Sequence, residues 1–362
     1  MAALVEHLDW LTELRGQFGL RTAVGAAEDA LARLDERLRT SCLRDGWIAR
    51  ADFGEACANL YLAGELIHLE DLMLRDAEAD LRAASHELVR AHAVLEARRR
   101  ITAAPPGDWL ARRLDAPQRP MSPDEPTDSS CPNDDDPFAA ELAAIDAAIA
   151  SSSRLLRDGV AGSPEPIAAP LPGRELVYSE DWDEGAALAD WRAICAQCDN
   201  LTPVLAAAVA YEAWCEIEPL QRQGWMGSLL VADLLRARGK ARAHLPCLDA
   251  GLMQTPRARR RHKERATRIL AVVDAISASA RAGLSELDRL STAADLLRLR
   301  VGRRRGNSKL PALADLVLSR PAVTTKLVAS ELKVSGRAAL DMIATLGLRE
   351  LTGRRRYRVW AV

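Results

Sequence analysis

The sequence predicts a mainly α protein, with a multi-helix N-terminal and central body followed by a C-terminal winged helix-turn-helix. Three observations carry this expectation. Alanine and leucine are abundant while aromatic residues make up only 4% of the chain, which favours helices over pleated sheets. Apolar residues recur at three- and four-residue steps, as at Leu31, Leu34 and Leu38, the mark of an amphipathic helix. Residues 323–360 read as two short capped helices followed by an arginine-laden hairpin.

The first region, 1–100, is helical by pattern, with helices expected over 52–62, 65–74 and 86–100. Residues 101–137 form a linker: Pro105, Pro106, Pro117, Pro120, Pro123, Pro126 and Pro132 break any helix, and Asp134, Asp135 and Asp136 add a solvated acidic run. Trp109 and Leu110 within it are candidates to dock back. The central helical domain, 138–300, opens with an alanine-rich helix over 138–156, then a Pro/Gly break over 159–173 and an extended stretch over 175–178. Its largest candidate core lies at 183–250, where Trp191, Ile194, Val204, Val209 and Trp214 recur at helical spacing. Another helix opens near Gly224 and ends at Gly239, the residue suited to a left-handed cap. A basic helix is expected over 257–268 and a further helix over 269–299, before a basic joint at Arg303, Arg304 and Arg305.

The last region, 301–362, is the winged helix-turn-helix. Residues 310–318 supply its first helix. Thr324 caps the next, whose inward positions are Leu327, Val328 and Leu332, and Ser335 caps the one after. In that helix Ala339, Leu340, Ile343 and Leu346 are expected to face inward, leaving Gly336, Arg337, Asp341 and Thr345 outside. Ala329 sits where the two helices of such a unit touch. Strands are expected over 348–351 and 357–359, turned at Thr352 and Gly353.

Charge is unevenly spread. The 362 residues carry a net −2, yet residues from Gly251 onward hold 24 Lys and Arg against 9 Asp and Glu, or +15, which leaves −17 on the remainder. The basic third is the part that would seek phosphate. Double-stranded DNA is therefore the expected partner. Ser335, Gly336, Arg337 and Asp341 would enter the major groove, where the Arg337 fork suits the guanine O6/N7 pair. Thr324, Thr325 and Lys326 would meet phosphates, and Arg354, Arg355, Arg356 and Arg358 would hold the backbone or enter the minor groove. Many winged regulators dimerise so that two half-sites match protein symmetry, and a homodimer is assumed here by that analogy alone.

Other chemistries find less support. Seven cysteines include the C-x-x-C pair Cys195 and Cys198, but no second pair stands near enough for zinc and no strand precedes it for a redox site. Buried reduced thiols are expected. His68, His86 and His92 lack ligand spacing, so no metal and no cofactor is expected. No run approaches a membrane span, and residues 1–20 lack a signal-peptide pattern. The expected location is the cytoplasm.

Residues 211–230, from Tyr211 through Glu218, Pro219, Leu220, Arg222, Gly224, Trp225, Gly227 and Ser228, resemble a degenerate form of the Fic motif. Fic proteins transfer nucleotidyl groups to hydroxyls. Their motif supplies a histidine base, an acid that holds a metal, and a glycine-rich turn that cradles phosphates at a helix start. Here Glu218 stands in the histidine's place, Pro219 matches, Leu220 replaces the phenylalanine, Arg222 replaces the acid, and Trp225 takes the place of the motif's arginine. A cation at the metal position cannot be a ligand. The resemblance therefore implies a retained fold without transferase chemistry, at most a nucleotide-sensing pocket at Glu218, Arg222, Gly224, Gly227 and Ser228. Residues 56–74, with Glu65, also resemble the inhibitory helix that many Fic proteins carry. The whole chain, and most clearly its tail from Glu350 to Trp360, resembles a bacterial family of uncharacterised proteins, often plasmid-borne, that pair a helical domain with a C-terminal helix-turn-helix. That resemblance implies DNA binding and names neither an effector ligand nor a reaction, so the chain is not expected to be an enzyme.

Overall fold

A computed structural model of the protein describes residues 18–77, 85–111, 182–302, 308–353 and 358–362. The helix expected over 138–156, the extended stretch over 175–178, most of the proline-rich linker, and Arg303, Arg304, Arg305, Arg354, Arg355 and Arg356 lie outside the described residues. All described helices and strands belong to the unit formed by Met1–Leu114 and Asp183–Val362.

The structure is mainly α. Helix α1 (Phe18–Thr40) buries Leu31, Leu34 and Leu38, as their spacing predicts. Helix α2 (Arg44–Ala63) begins well before the expected residue 52 and ends at Gly64, whose φ of 91° closes the helix with a left-handed residue. Helices α3 (Leu69–Asp76) and α4 (His86–Ala103) follow. Ser85 caps α4 by accepting from the Leu88 N–H at 3.3 Å, and α4 runs through the expected linker boundary to stop just short of Pro105. Glu65, likened above to an inhibitory-helix glutamate, sits in the non-helical stretch between α2 and α3 and is ion-paired with Arg90.

The short α5 (Asp108–Ala111) docks as expected: Trp109 and Leu110 pack on the core, and Arg192 Nε donates to the Leu110 carbonyl at 2.9 Å. Next come α6 (Glu184–Gln197), α7 (Pro203–Ile217), α8 (Met226–Ala237) and α9 (Leu248–Gln254). The basic stretch is not one helix. It divides into α10 (Arg257–Arg260) and the 37-residue α11 (Arg265–Val301), because the chain turns between them at 261–264.

The N-terminal region and the central domain share one buried core, so they are not separate bodies. Helix α11 is the axis, flanked by α1, α7 and α9. Indole groups tie the layers together: Trp47 Nε1 donates to the Gly283 carbonyl at 2.9 Å, and Trp191 Nε1 to the Ala210 carbonyl at 2.8 Å. Trp191 also meets Trp214 edge-on, with centroids 5.2 Å apart.

The C-terminal part holds α12 (Leu310–Ser319), β1 (Val323–Thr324), α13 (Thr325–Leu332), α14 (Gly336–Leu346), β2 (Arg349–Glu350) and β3 (Val359–Ala361). The strands form an antiparallel sheet in the order β1-β3-β2. The strand expected over 348–351 contains β2, whereas the returning strand starts at Val359, where the expected 357–359 ends, and β1, which pairs only two residues, was not expected. This part has its own apolar cluster, centred on Leu313, Val317, Val328, Ile343, Leu346 and Trp360.

Candidate nucleic-acid interface

The helix-turn-helix is built by local chemistry that the sequence carries. Thr324 Oγ1 accepts from the Leu327 N–H at 3.1 Å, and Ser335 Oγ from the Ala338 N–H at 3.2 Å. Both hydroxyls satisfy amides that a helix start leaves open. Between the helices Lys333 adopts φ 50° and ψ 56°, and the Val334 N–H closes on the Ala329 carbonyl at 3.0 Å. Gly347, at φ 60°, ends α14 in the same left-handed way.

Two basic side chains finish the helix ends. Lys309 Nζ donates to the Leu332 carbonyl at 2.6 Å and to the Lys333 carbonyl at 3.3 Å. Arg300 donates to the Leu346 and Gly347 carbonyls. Cations at helix C-termini are favourable, so these two brace the unit from its surface.

Helix α14 buries Ala339, Ile343 and Leu346 at spacings of four and three. Leu340, expected to join them, is instead 39% exposed. At 100° per residue it stands beside Ala339 but off the buried line, so it lands on the outer face. That face now comprises Gly336, Arg337, Leu340, Asp341, Ala344 and Thr345. Arg337 and Asp341 are exposed and make no ion pair with a described residue. A Cβ on Gly336 would meet nothing within 4 Å, which leaves the first turn low and open. Thr345 Oγ1 is turned back onto the Asp341 carbonyl at 2.7 Å. On α13, Lys326 is exposed while Thr324 and Thr325 are half-buried.

Other basic residues of the C-terminal third are occupied within the protein. Arg358 pairs with Glu350 across the hairpin and lies over the Trp360 ring, 5.1 Å from its centroid. The pairing holds the Glu350 carboxyl below its ordinary range. Arg259 pairs with Asp274 at 2.7 Å, and Arg265 and Arg268 bind Glu212 and Glu216. Arg260 Nε donates to the Thr255 carbonyl at 3.0 Å. Three of the seven basic residues from Arg257 to Arg268 thus bind the body's own acids, an outcome that a count of charges along the chain cannot show.

The Fic-like turn has a different geometry from a phosphate cradle. Glu218 is exposed in a left-handed conformation, φ 49°, where it caps α7. Arg222 and Gly224 are exposed. Gly227 is covered by Trp214: a Cβ there would fall 2.3 Å from the indole, whose Nε1 donates to the Gly224 carbonyl at 2.9 Å. Ser228 is buried and donates to Asp249 Oδ2 at 2.6 Å. The five residues are therefore split between surface and core. The C-x-x-C thiols are held protonated by burial, which pushes Cys195 up to about 12 and Cys198 to about 11. Among the described residues no group of His, Cys, Asp and Glu is arranged to hold a metal ion, and no helix is long and apolar enough to cross a membrane.

Fold and exposed face together define a helical protein with a C-terminal helix-turn-helix domain. Residues 310–362 match the family described as "HTH DNA binding domain", and residues 176–302 match "Protein of unknown function (DUF1612)". The chain is 41% identical over 358 residues, covering 91% of its length and 93% of the relative's, to the uncharacterized protein y4cF of Sinorhizobium fredii (strain NBRC 101917 / NGR234). The chain belongs to the family of this uncharacterized protein, and its helical body carries a C-terminal helix-turn-helix domain.

Proposed function

We propose that the protein is a transcriptional regulator that reads double-stranded DNA through α14, with the β2–β3 hairpin as its wing. One observation carries this reading: the capped start of α14 presents Arg337, Leu340 and Asp341 together on an exposed face. Such a helix fits the major groove, where an arginine fork reads guanine, a carboxylate accepts from cytosine N4, and an apolar group touches the thymine methyl. Thr324, Thr325 and Lys326 then lie at the helix that crosses the backbone, and the hydroxyls of Thr324 and Ser335, though used as caps, keep a proton to donate to phosphate. Two copies on paired half-sites complete the reading.

The chain acts by binding and not by turnover. Arg222 in place of an acid, and the cover that Trp214 places on Gly227, both support this. The test is random-site selection with the purified protein, followed by a titration of affinity against salt. A selected sequence and a log–log slope near −0.9 per phosphate neutralised are expected. Equal affinity for every sequence would refute sequence reading. Incubation with labelled ATP and magnesium should leave no transferred label on protein.

A further inference from the structure

The body and the helix-turn-helix domain flank a half-open pocket of about 590 Å³, well within the roughly 300–1,000 Å³ of small-molecule sites. Trp47, Arg50 and Met73 line it from the body, and Arg349, Leu351 and Val362 from the DNA-binding domain. Its lining is largely apolar, yet three guanidinium groups, of Arg50, Arg289 and Arg349, stand against the carboxyls of Glu55 and Glu286.

These cations are not equally satisfied. Arg289 grips Glu286 through two bonds of 2.7 Å and donates to the Val362 carbonyl at 3.0 Å. Arg50 gives three of its five N–H donors to the Gly46, Val317 and Leu318 carbonyls at 2.7–2.9 Å and comes no nearer to Glu286 than 4.0 Å. Its charge is poorly balanced, and burial draws its pKa down to about 10. Arg349 makes no ion pair with a described residue. A cationic ligand would meet like charge here, and a neutral one would leave the buried Arg50 charge poorly balanced.

We propose that this cavity binds a small organic acid with an apolar body, its carboxylate held by Arg349 and Arg50 and its hydrocarbon or aryl part set against Trp47 and Met73. The occupant would touch both the body and the DNA-binding domain, so binding favours the arrangement that holds them together. Any effect on DNA affinity rests on the DNA-binding reading above. Binding of the acid itself does not.

The test uses the full chain, thermal unfolding and calorimetric titration, with octanoate and indole-3-acetate as probes and octanol and octylamine as controls. The acids should raise Tm by about 3 °C or more at roughly a hundredfold excess over Kd, and the controls should not. Gly54 lines the cavity, and a Cβ there meets nothing within 4 Å, so Gly54→Phe should fold normally while filling the space and abolishing binding. Arg349→Gln should weaken binding about tenfold or more. The proposal is overturned if neither acid stabilises the protein, if octanol does so equally, or if both variants bind the acids as the parent does. A chain that binds the acids but no DNA overturns the DNA reading alone. One that binds DNA but neither acid overturns this site alone.

Discussion

Gly46 of α2 and Leu318 near the end of α12 approach so closely that a Cβ on Gly46 would sit 1.9 Å from the Leu318 carbonyl oxygen. The same carbonyl accepts from Arg50, one helical turn along, at 2.9 Å. Body and DNA-binding domain are thus joined by a backbone contact that only glycine permits at position 46. Gly46→Ala should force α12 away from α2 at a cost of about 1–3 kcal/mol. Amide exchange in α12 should accelerate while exchange in α11 stays slow. Unchanged protection of α12 in the variant would contradict this account of the contact.

Arg337 and Arg358 should behave differently, although both lie in the same basic domain. Arg337 is exposed and pairs with no described residue, so on the proposed reading Arg337→Ala should cost about 1–3 kcal/mol of DNA affinity and relax preference at one base pair. Arg358 is already engaged by Glu350 and Trp360. Arg358→Ala should therefore change the salt slope by clearly less than the value of about one expected for a lost phosphate contact. Binding curves for both variants at several salt concentrations decide the matter. A larger slope change for Arg358 than for Arg337 would reverse the assignment.

The contrast shows which features a sequence can reveal. Both caps of the helix-turn-helix were legible because Thr324 and Ser335 act on amides three residues away. The buried leucines of α1 were legible because their partners follow the helix period. What escaped was long-range. Whether Arg259 or Arg268 faces solvent depends on Asp274, Glu212 and Glu216. Gly227 and Ser228 look like a phosphate turn until Trp214 and Asp249 are brought onto them. Leu340 is a different case: its exposure was readable from a strict helical wheel, but its hydrophobicity suggested the core. The cavity between body and DNA-binding domain has no local signature, since its walls come from residues as far apart as Leu34 and Val362.

Leu340 supplies a further test of the same face. An exposed leucine beside Arg337 costs little in the free protein and gains on contact with a thymine methyl. Leu340→Ser should leave thermal stability nearly unchanged, because the side chain is 39% exposed, while reducing discrimination of thymine from uracil at one position. Parallel binding measurements on thymine- and uracil-substituted sites reveal this directly. Equal preference in parent and variant would remove Leu340 from the reading face.

The buried acids of the body give the protein a definite response to pH. Glu55 accepts from the Asp249 and Ala250 N–H groups at 2.8 and 2.9 Å, and Asp249 Oδ2 accepts from Asn59 and Ser228 at 2.7 and 2.6 Å. Burial first, then the neighbouring Asp249 charge, pushes Glu55 up to about 8, and burial raises Asp249 as well. Arg98 opposes both shifts, but its Nε is held by Asp52 at 2.7 Å. The folded protein therefore keeps a proton that the unfolded chain releases near the ordinary carboxylate value of about 4.3. Between roughly pH 4.3 and 8 the native state binds more protons, so stability falls as pH rises through that window, by up to about 1.4 kcal/mol per pH unit for one proton. Asp249→Asn keeps an acceptor for Ser228 and Asn59 while removing the neighbouring charge, so its stability should fall less steeply. Urea unfolding of parent and variant at pH 5.5, 6.5 and 7.5 measures both slopes. Parallel slopes would mean that these two carboxyls share no proton in the folded protein.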